Sequence, residues 1–71
     1  MKRFGEKLRA LRKQSGLSIR GLTREFGFSS HSYISLIEAS KKRPSIELII
    51  RIADRFGVSV DQLVRDELEI D

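Results

Sequence analysis

The sequence of 71 residues contains no cysteine, a single histidine and a single proline. Without cysteine it has no disulfide, no CxxC redox pair and no cysteine zinc site, and one histidine cannot build a histidine-rich metal site. No apolar stretch approaches the roughly 20 residues that cross a membrane, and the basic N-terminus leads into a charged segment rather than a signal-peptide core. We therefore expect one small cytoplasmic domain with no cofactor, no metal and no membrane partner.

Acidic residues are scarce in the first part of the chain and concentrated in the last part. Residues 1–43 contain eleven Lys and Arg against three acids, a net charge of +8. Residues 44–71 contain three Arg against seven acids, a net charge of −4. This asymmetry indicates one side that faces a polyanion and one that does not, although a solvated charged surface is the alternative.

Apolar residues recur at helical spacing through almost the whole chain, and little of it alternates with the two-residue period of a strand. Serine caps helix N-termini, whereas glycine and proline end helices, so the positions of these residues predict five short helices. The expected cap and stop residues are Gly16, Ser18, Gly27, Ser30, Pro44, Ser45, Gly57 and Ser59. The predicted fold class is therefore an all-α, compact five-helix domain.

The predicted fourth helix is apolar around most of its circumference, which is typical of a central core element. Its two apolar stripes consist of Ile46, Ile49, Ile50, Ala53 and Phe56, and of Leu48 and Ile52. The predicted third helix is expected to turn Tyr33, Ile34 and Ile37 inward. Only Gly27, Phe28 and Ser29 separate it from the second helix, and a tight turn with glycine fits a helix-turn-helix corner.

Two long segments carry a resemblance to a known family. "FGEKLRALRKQSGLS" is similar to the first helix and second cap of the Xre/Cro/cI family of helix-turn-helix repressors. "YISLIEASKKRPSIELIIRIADRFGVSVDQLV" is similar to its recognition helix, basic loop and last two helices. The resemblance runs from Phe4 to Val64 and implies a lambda-repressor-like DNA-binding domain over residues 1–71. The helix-turn-helix would span about 18–39, the basic loop 40–44, and a C-terminal helix and tail about 59–71.

The resemblance implies a base-reading surface on the serine-rich segment "SSHSYISLIE". In a helix-turn-helix the second helix enters the major groove, where hydroxyls bond either base type, imidazole bonds purines and an apolar group contacts the thymine methyl. The matching residues are His31, Ser32, Ser35 and Leu36. Two alternatives stay open: the serines serve only as caps and solvated filler, or Leu36 marks a protein interface.

The resemblance also implies phosphate contacts around that surface, and phosphate contacts supply most of the affinity for DNA. The candidate phosphate-binding residues are Arg20, Arg24, Ser30, Tyr33, Lys41, Lys42 and Arg43. The alternative for residues 41–43 is that this basic triplet forms only a solvated loop and does not bind phosphate. Arg12 and Glu38 resemble a charged pair that locks the first helix to the third, with two unrelated surface charges as the alternative.

The chain departs from the family pattern at four places. Ile19 stands where a polar residue usually contacts phosphate, and Gly21 replaces the acidic partner of the capping box. The turn between the second and third helices is one residue longer, with Phe28 and Ser29 in place of one apolar residue. Ser40 stands where the family has a glycine, which is unfavourable if that residue is left-handed.

These features predict a sequence-specific regulator of transcription that binds double-stranded DNA, a repressor by family resemblance, acting as a homodimer on a palindromic operator. An apolar dimer surface is expected from Val60, Val64, Leu68 and Ile70. Its acidic neighbours, which would keep this side away from phosphate, are Asp61, Asp66, Glu67, Glu69 and Asp71. The alternative is a protein-interaction module of the same fold, such as an antitoxin or adaptor, with weak or no specific DNA binding. An enzyme is not expected. Ser30, His31 and Ser32 are of the nucleophile and base types, but consecutive side chains on a helix point about 100° apart.

Overall fold

Five α-helices joined by short turns make up residues 1–70 of the chain in the computed structural model, with no strand among them. They are α1 (Phe4–Gln14), α2 (Ile19–Phe26), α3 (Ser32–Glu38), α4 (Ile46–Phe56) and α5 (Val60–Val64). Asp71, the last acid of the predicted acidic tail, lies outside the described residues. None of the helices in residues 1–70 is long and apolar enough to cross a membrane. The prediction of an all-α, five-helix fold is confirmed.

Serine side chains begin three of the helices as predicted. The hydroxyl of Ser18 accepts a hydrogen bond from the Gly21 amide (2.9 Å), and that of Ser45 accepts one from the Leu48 amide (3.1 Å). Ser59 forms a full capping box, in which its hydroxyl and the side chain of Gln62 each bond the other's backbone amide. Each cap satisfies an amide that has no partner inside its helix, so the helix starts are fixed locally.

Each helix contributes at least one completely buried side chain to a single core. Leu8, Leu22, Ile34, Ile52 and Leu63 come from α1 to α5 in order, and each is 0% exposed. Helix α1 packs against α3 and α5, α3 packs against α2, and α4 packs against α5. Helix α1 therefore packs against both the recognition-helix candidate α3 and the C-terminal helix α5.

Helix α3 begins later than the sequence predicted. We expected Ser30 to cap it, whereas its first helical residue is Ser32 and its cap position is occupied by His31, which makes no side-chain cap bond. The Ser30 hydroxyl still accepts a hydrogen bond from the Ser32 amide (3.1 Å), so it stabilises the last part of the turn. As a result residues 27–31, and not three residues, separate α2 from α3.

Two isoleucines predicted for the core lie at the surface. Ile46 is 77% exposed and Ile50 is 47% exposed, although both belong to α4. Only one face of α4 is covered by the other helices, and the residues buried there are Leu48, Ile49, Ile52 and Ala53. The expectation of a central helix buried around most of its circumference is therefore wrong for the face that carries Ile46 and Ile50.

The residues after α5 are fixed to the start of the chain. The Asp66 carboxylate accepts hydrogen bonds from the backbone amides of Lys2 and Arg3, both at 2.9 Å. The Arg3 guanidinium donates to the Asp66 carbonyl (2.8 Å) and to both carboxylate oxygens of Glu69 (2.9 Å each). We call this set of contacts the terminal clasp. It joins residues more than 60 positions apart in the sequence.

Candidate nucleic-acid interface

Helix α3 has one buried face and one solvent-facing side. Ile34 and Ile37 are 0% and 1% exposed, so they fix the helix to the core. On the other side His31, Ser32, Ser35 and Leu36 are all exposed, with Leu36 at 40%. The structure thus brings the four predicted base-reading residues together on one outward-facing surface at α3.

A buried ion pair holds α3 against α1. The Arg12 guanidinium donates two hydrogen bonds to the Glu38 carboxylate, from Nε (2.7 Å) and Nη2 (3.0 Å), and a third from Nη1 to the Leu17 carbonyl (2.9 Å). The two side chains are only 9% and 6% exposed. The hydrogen bonds to Glu38 raise the pKa of Arg12 above its already high ordinary value, so the guanidinium stays charged. The structure therefore brings together the two residues predicted as a structural pair, in the bidentate geometry that best fixes orientation.

A glycine that the sequence analysis did not single out brings the same two helices into close contact. A Cβ atom on Gly5 would lie 2.4 Å from the Ile37 carbonyl oxygen and 2.7 Å from the Glu38 carbonyl oxygen. Both contacts are to backbone, which cannot move aside as a flexible side chain can. Gly5 therefore permits the end of α3 to lie directly on the start of α1, and only its position inside a helical pattern hinted at a packing role.

The basic loop follows α3 through a left-handed residue. Ser40 has φ of 60°, and the amides of Ser40 and Lys41 donate to the carbonyls of Ile37 (3.0 Å) and Leu36 (2.9 Å). This pattern ends a helix and is most favourable with glycine, so the left-handed Ser40 carries the backbone strain expected of a serine in this conformation. The chain reverses here, and residues 41–43 follow in an exposed position beside the end of α3.

The arginine and lysine side chains divide into two groups by their partners. One group is held by acceptors within the protein: Arg3, Lys7, Arg12, Arg51, Arg55 and Arg65. The second group has no hydrogen-bond or carboxylate partner for its side chain among residues 1–70: Lys2, Arg9, Lys13, Arg20, Arg24, Lys41, Lys42 and Arg43. All five basic residues predicted to bind phosphate belong to the second group. Their charges are therefore available for an external anion.

Lys7 and Arg3 are basic residues that serve the fold. The Lys7 side chain is buried, and its ammonium donates to the carbonyls of Gln62 (2.6 Å) and Arg65 (2.8 Å) at the end of α5. A cation is favourable at that position, where the helix leaves carbonyl groups without partners. The basic excess of residues 1–43 thus overstates the charge available to a ligand.

An aromatic cluster supports the turn before α3. The ring of Phe28 packs edge-on against Phe26 and Tyr33, with centroid separations of 6.2 and 5.2 Å. From α4, the Arg51 guanidinium stacks on Phe26 (4.6 Å to the ring centroid) and donates to its carbonyl oxygen (2.9 Å). Phe28 is therefore packed between α2 and α3. The Phe28 ring and the contacts of Arg51 with Phe26 hold in place the segment that leads into α3.

Tyr33 lies at the edge of this cluster and beside the basic loop. Its ring is half-buried, and the Lys42 ammonium lies 5.5 Å from the ring centroid. The Tyr33 hydroxyl has no hydrogen-bond partner among residues 1–70. The position is compatible with the predicted phosphate contact.

Ile19 and Gly21 shape the start of α2. Ile19 is half-buried and packs against the core, so its side chain offers no polar group to a ligand. The first turn of α2 contains no acidic residue, and the Ser18 hydroxyl alone caps it. Beside Ile19 lies a groove with a volume of about 240 Å³ where α1, α2 and α3 meet. We call it the three-helix groove; it is lined by Arg9, Arg12, Ile19, Ser35, Glu38 and Ala39.

The predicted dimer surface is only partly exposed. Val60 and Leu68 are 40% and 37% exposed, whereas Val64 and Ile70 are half-buried against the core. Of the acids expected around this surface, Asp66 and Glu69 are engaged in the terminal clasp and Asp61 lies 3.8 Å from Arg65. No group of acids and histidine suited to a metal ion occurs in the part of the chain that the structure describes.

Known proteins share this arrangement of helices. A family model described as a helix-turn-helix domain matches residues 3–68. Among solved structures, the chain is similar to the DNA-binding domain of BldD from S. venezulae, with 30% identity and a TM-score of 0.71. That similarity covers 87% of this chain and 91% of the BldD chain. A comparison with curated proteins finds no match. The residues matched by the family model include all five helices of the fold.

Proposed function

Because the chain belongs to the helix-turn-helix family of DNA-binding domains, we propose that it is a cytoplasmic, sequence-specific regulator of transcription. In this proposal α3 enters the major groove of double-stranded DNA. Ser32 and Ser35 bond base edges, His31 bonds a purine and Leu36 contacts a thymine methyl. The basic residues of α2 and the loop after α3 bind phosphates on either side of the groove.

The observation that carries this proposal is the pairing of an exposed α3 surface with unpaired cations beside it. The four base-reading candidates are exposed, while the cations at 20, 24 and 41–43 have no internal acceptor among residues 1–70. A helix whose position is fixed by a buried ion pair presents these groups in one orientation, which specific recognition requires.

We propose further that the protein acts as a homodimer, and that it represses. One recognition helix reads too few base pairs to select a site within a genome, whereas a two-fold dimer reads two half-sites about one helical turn apart. Val60 and Leu68, the exposed apolar residues of the C-terminal part, are the candidates for the contact between copies. Repression is the mode of action that the family resemblance implies.

The test is selection of bound sequences from a pool of random duplex DNA. We expect enrichment of a palindrome whose half-sites lie about 10 base pairs apart, with affinity that falls steeply as salt is raised. Retention of random sequences without enrichment, or an affinity unaffected by salt, would contradict the proposal.

A second candidate function is a protein-interaction module of the same fold, such as an antitoxin or an adaptor. It is favoured by exposed apolar side chains that DNA binding leaves unused, above all Ile46 at 77% and Ile50 at 47% exposure. Ile19 supports it too, because its side chain cannot bond a phosphate.

Changing Lys41 and Arg43 together to alanine distinguishes the two candidates. For the DNA-binding regulator, the variant is expected to lose DNA affinity while it keeps its oligomeric state by sedimentation. Arg65→Ala serves as the control, since it also removes a cation but from the acidic C-terminal part of the domain. Equal effects of both changes on DNA binding would favour the protein-interaction module.

A further inference from the structure

We propose that Arg9 of α1 binds a phosphate of the DNA backbone at the three-helix groove. This inference rests on the proposed function, because it assigns a further contact to the same interface. Arg9 belongs to neither the helix-turn-helix nor the basic loop, so the sequence pattern alone gives it no role.

The location of the groove connects Arg9 to the base-reading surface. Ser35, a base-reading candidate, lines the groove from α3, and Ile19 lines it from the start of α2. When α3 lies in the major groove, the duplex backbone that borders α3 has to pass close to this junction. Arg9 is exposed at the same place, so a backbone phosphate there lies within reach of its guanidinium.

The charge of the groove is positive despite the carboxylate in its lining. Glu38 is the only acid there, and both of its oxygens already accept hydrogen bonds from Arg12. Glu6, one turn earlier on α1, accepts from Arg3 (3.1 Å) through one of its carboxylate oxygens and makes no ion pair with Arg9. The Arg9 guanidinium has no carboxylate partner among residues 1–70, so its charge is left for an anion.

Ile19 leaves the groove without a polar side chain at the start of α2. The isoleucine side chain has no group that could donate a hydrogen bond to an anion there. The amides of Ile19 and Arg20 remain as donors, because as the first two of α2 they have no acceptor within residues 1–70. The planar guanidinium of Arg9 matches phosphate oxygens in a bidentate manner, so it can supply the side-chain contact that Ile19 lacks.

The first experiment measures DNA affinity as a function of salt for four proteins: the unaltered chain, Arg9→Gln, Arg9→Lys and Arg65→Gln. The probe is a fluorescein-labelled duplex carrying the selected site. Each lost phosphate contact lowers the slope of log K against log salt by about 0.9. We expect that decrease for Arg9→Gln and an almost unchanged slope for Arg9→Lys, which keeps the charge but binds in a monodentate manner. Arg65→Gln, on the acidic side of the domain, is expected to match the unaltered chain.

A second measurement identifies the phosphate. Duplexes in which single phosphates are replaced by neutral methylphosphonates are compared for binding to the unaltered chain and to Arg9→Gln. A methylphosphonate at one position is expected to weaken DNA binding by the unaltered chain but not by Arg9→Gln, because the variant already lacks the contact to that phosphate. Thermal unfolding of Arg9→Gln should match that of the unaltered chain, since Arg9 is exposed.

The outcomes separate this inference from the proposed function. If the unaltered chain binds the duplex with a steep salt dependence, and Arg9→Gln shows the same slope and the same methylphosphonate profile, Arg9 is a solvated residue and the inference is overturned. If the unaltered chain does not bind duplex DNA at all, the proposed function is wrong, and the inference about Arg9 is overturned with it.

Discussion

Single residues fix the backbone of this domain in two ways, and only one of them can be read from the sequence. Ser18, Ser45 and Ser59 each bond an amide three residues ahead, so a local pattern suffices to predict them. Gly5 and Lys7 act on partners 32 to 58 residues away, on α3 and at the end of α5. No local pattern identifies those partners, because they depend on how the helices pack.

The close contact at Gly5 predicts that Gly5→Ala reduces the stability of the fold, whereas helix propensity predicts that it increases it. Propensity alone predicts that Gly5→Ala stabilises α1 by about 1 kcal/mol. The added methyl would instead meet two carbonyl oxygens at the end of α3, and overpacking of this kind reduces stability by about 2 kcal/mol. Urea unfolding measures the difference, and a stabilised variant would contradict the close contact between α1 and α3.

At the scale of helices, the sequence predicts which helices exist better than which faces they bury. Helix α4 is apolar around most of its circumference, so its pattern does not distinguish the covered face from the one that carries Ile46 and Ile50. The start of α3 was predicted too early for a similar reason, since Ser29, Ser30 and His31 all precede the helix and each offers a side-chain acceptor. Packing decides both questions.

The position of α3 depends on the ion pair with α1, and removing one partner tests this. Glu38→Gln would leave the Arg12 guanidinium buried without its carboxylate, which is expected to reduce the free energy of unfolding by about 3 kcal/mol. The control is Glu25→Gln, which breaks the half-exposed pair with Arg55 and should have an effect below about 1 kcal/mol. Equal losses in urea unfolding would show that the buried pair has no special role in holding α3.

At the scale of the whole molecule, the sequence revealed the charge asymmetry but not how it is distributed. The basic first part and the acidic tail meet in the terminal clasp, where Asp66 and Glu69 bind the start of the chain. The remaining unpaired cations lie mainly on α1, α2 and the loop after α3. The exposure of the residues at α3 and in the loop 41–43 agrees with what the family resemblance led us to expect. The location of Arg9 at the three-helix groove could not be predicted, because it depends on how α1, α2 and α3 meet.

The terminal clasp predicts a specific dependence of stability on pH. Hydrogen bonds from the Arg3 and Lys2 amides lower the pKa of Asp66 from 3.8 to about 2. A carboxylate whose pKa is depressed by folding stabilises the fold above its unfolded pKa, and this contribution is lost as the pH falls through the folded pKa. Asp66 therefore contributes fully at neutral pH, and its contribution disappears between about pH 4 and pH 2.

Unfolding of the unaltered chain and of Asp66→Asn across this pH range tests the clasp. The variant is expected to be less stable at neutral pH and to lose less stability on acidification, so the two curves converge near pH 2. Parallel curves would mean that the bonds between Asp66 and the amides do not contribute to folding.

The central claim is that the exposed side of α3 meets DNA while unpaired cations bind the phosphates around it. The most direct measurement is the change in backbone amide NMR signals as the selected duplex is added to the protein. We predict the largest changes at residues 31–36, with further changes at the start of α2 and in the loop 41–43. Large changes confined to α4 and its exposed isoleucines, with the α3 signals unmoved, would contradict the claim.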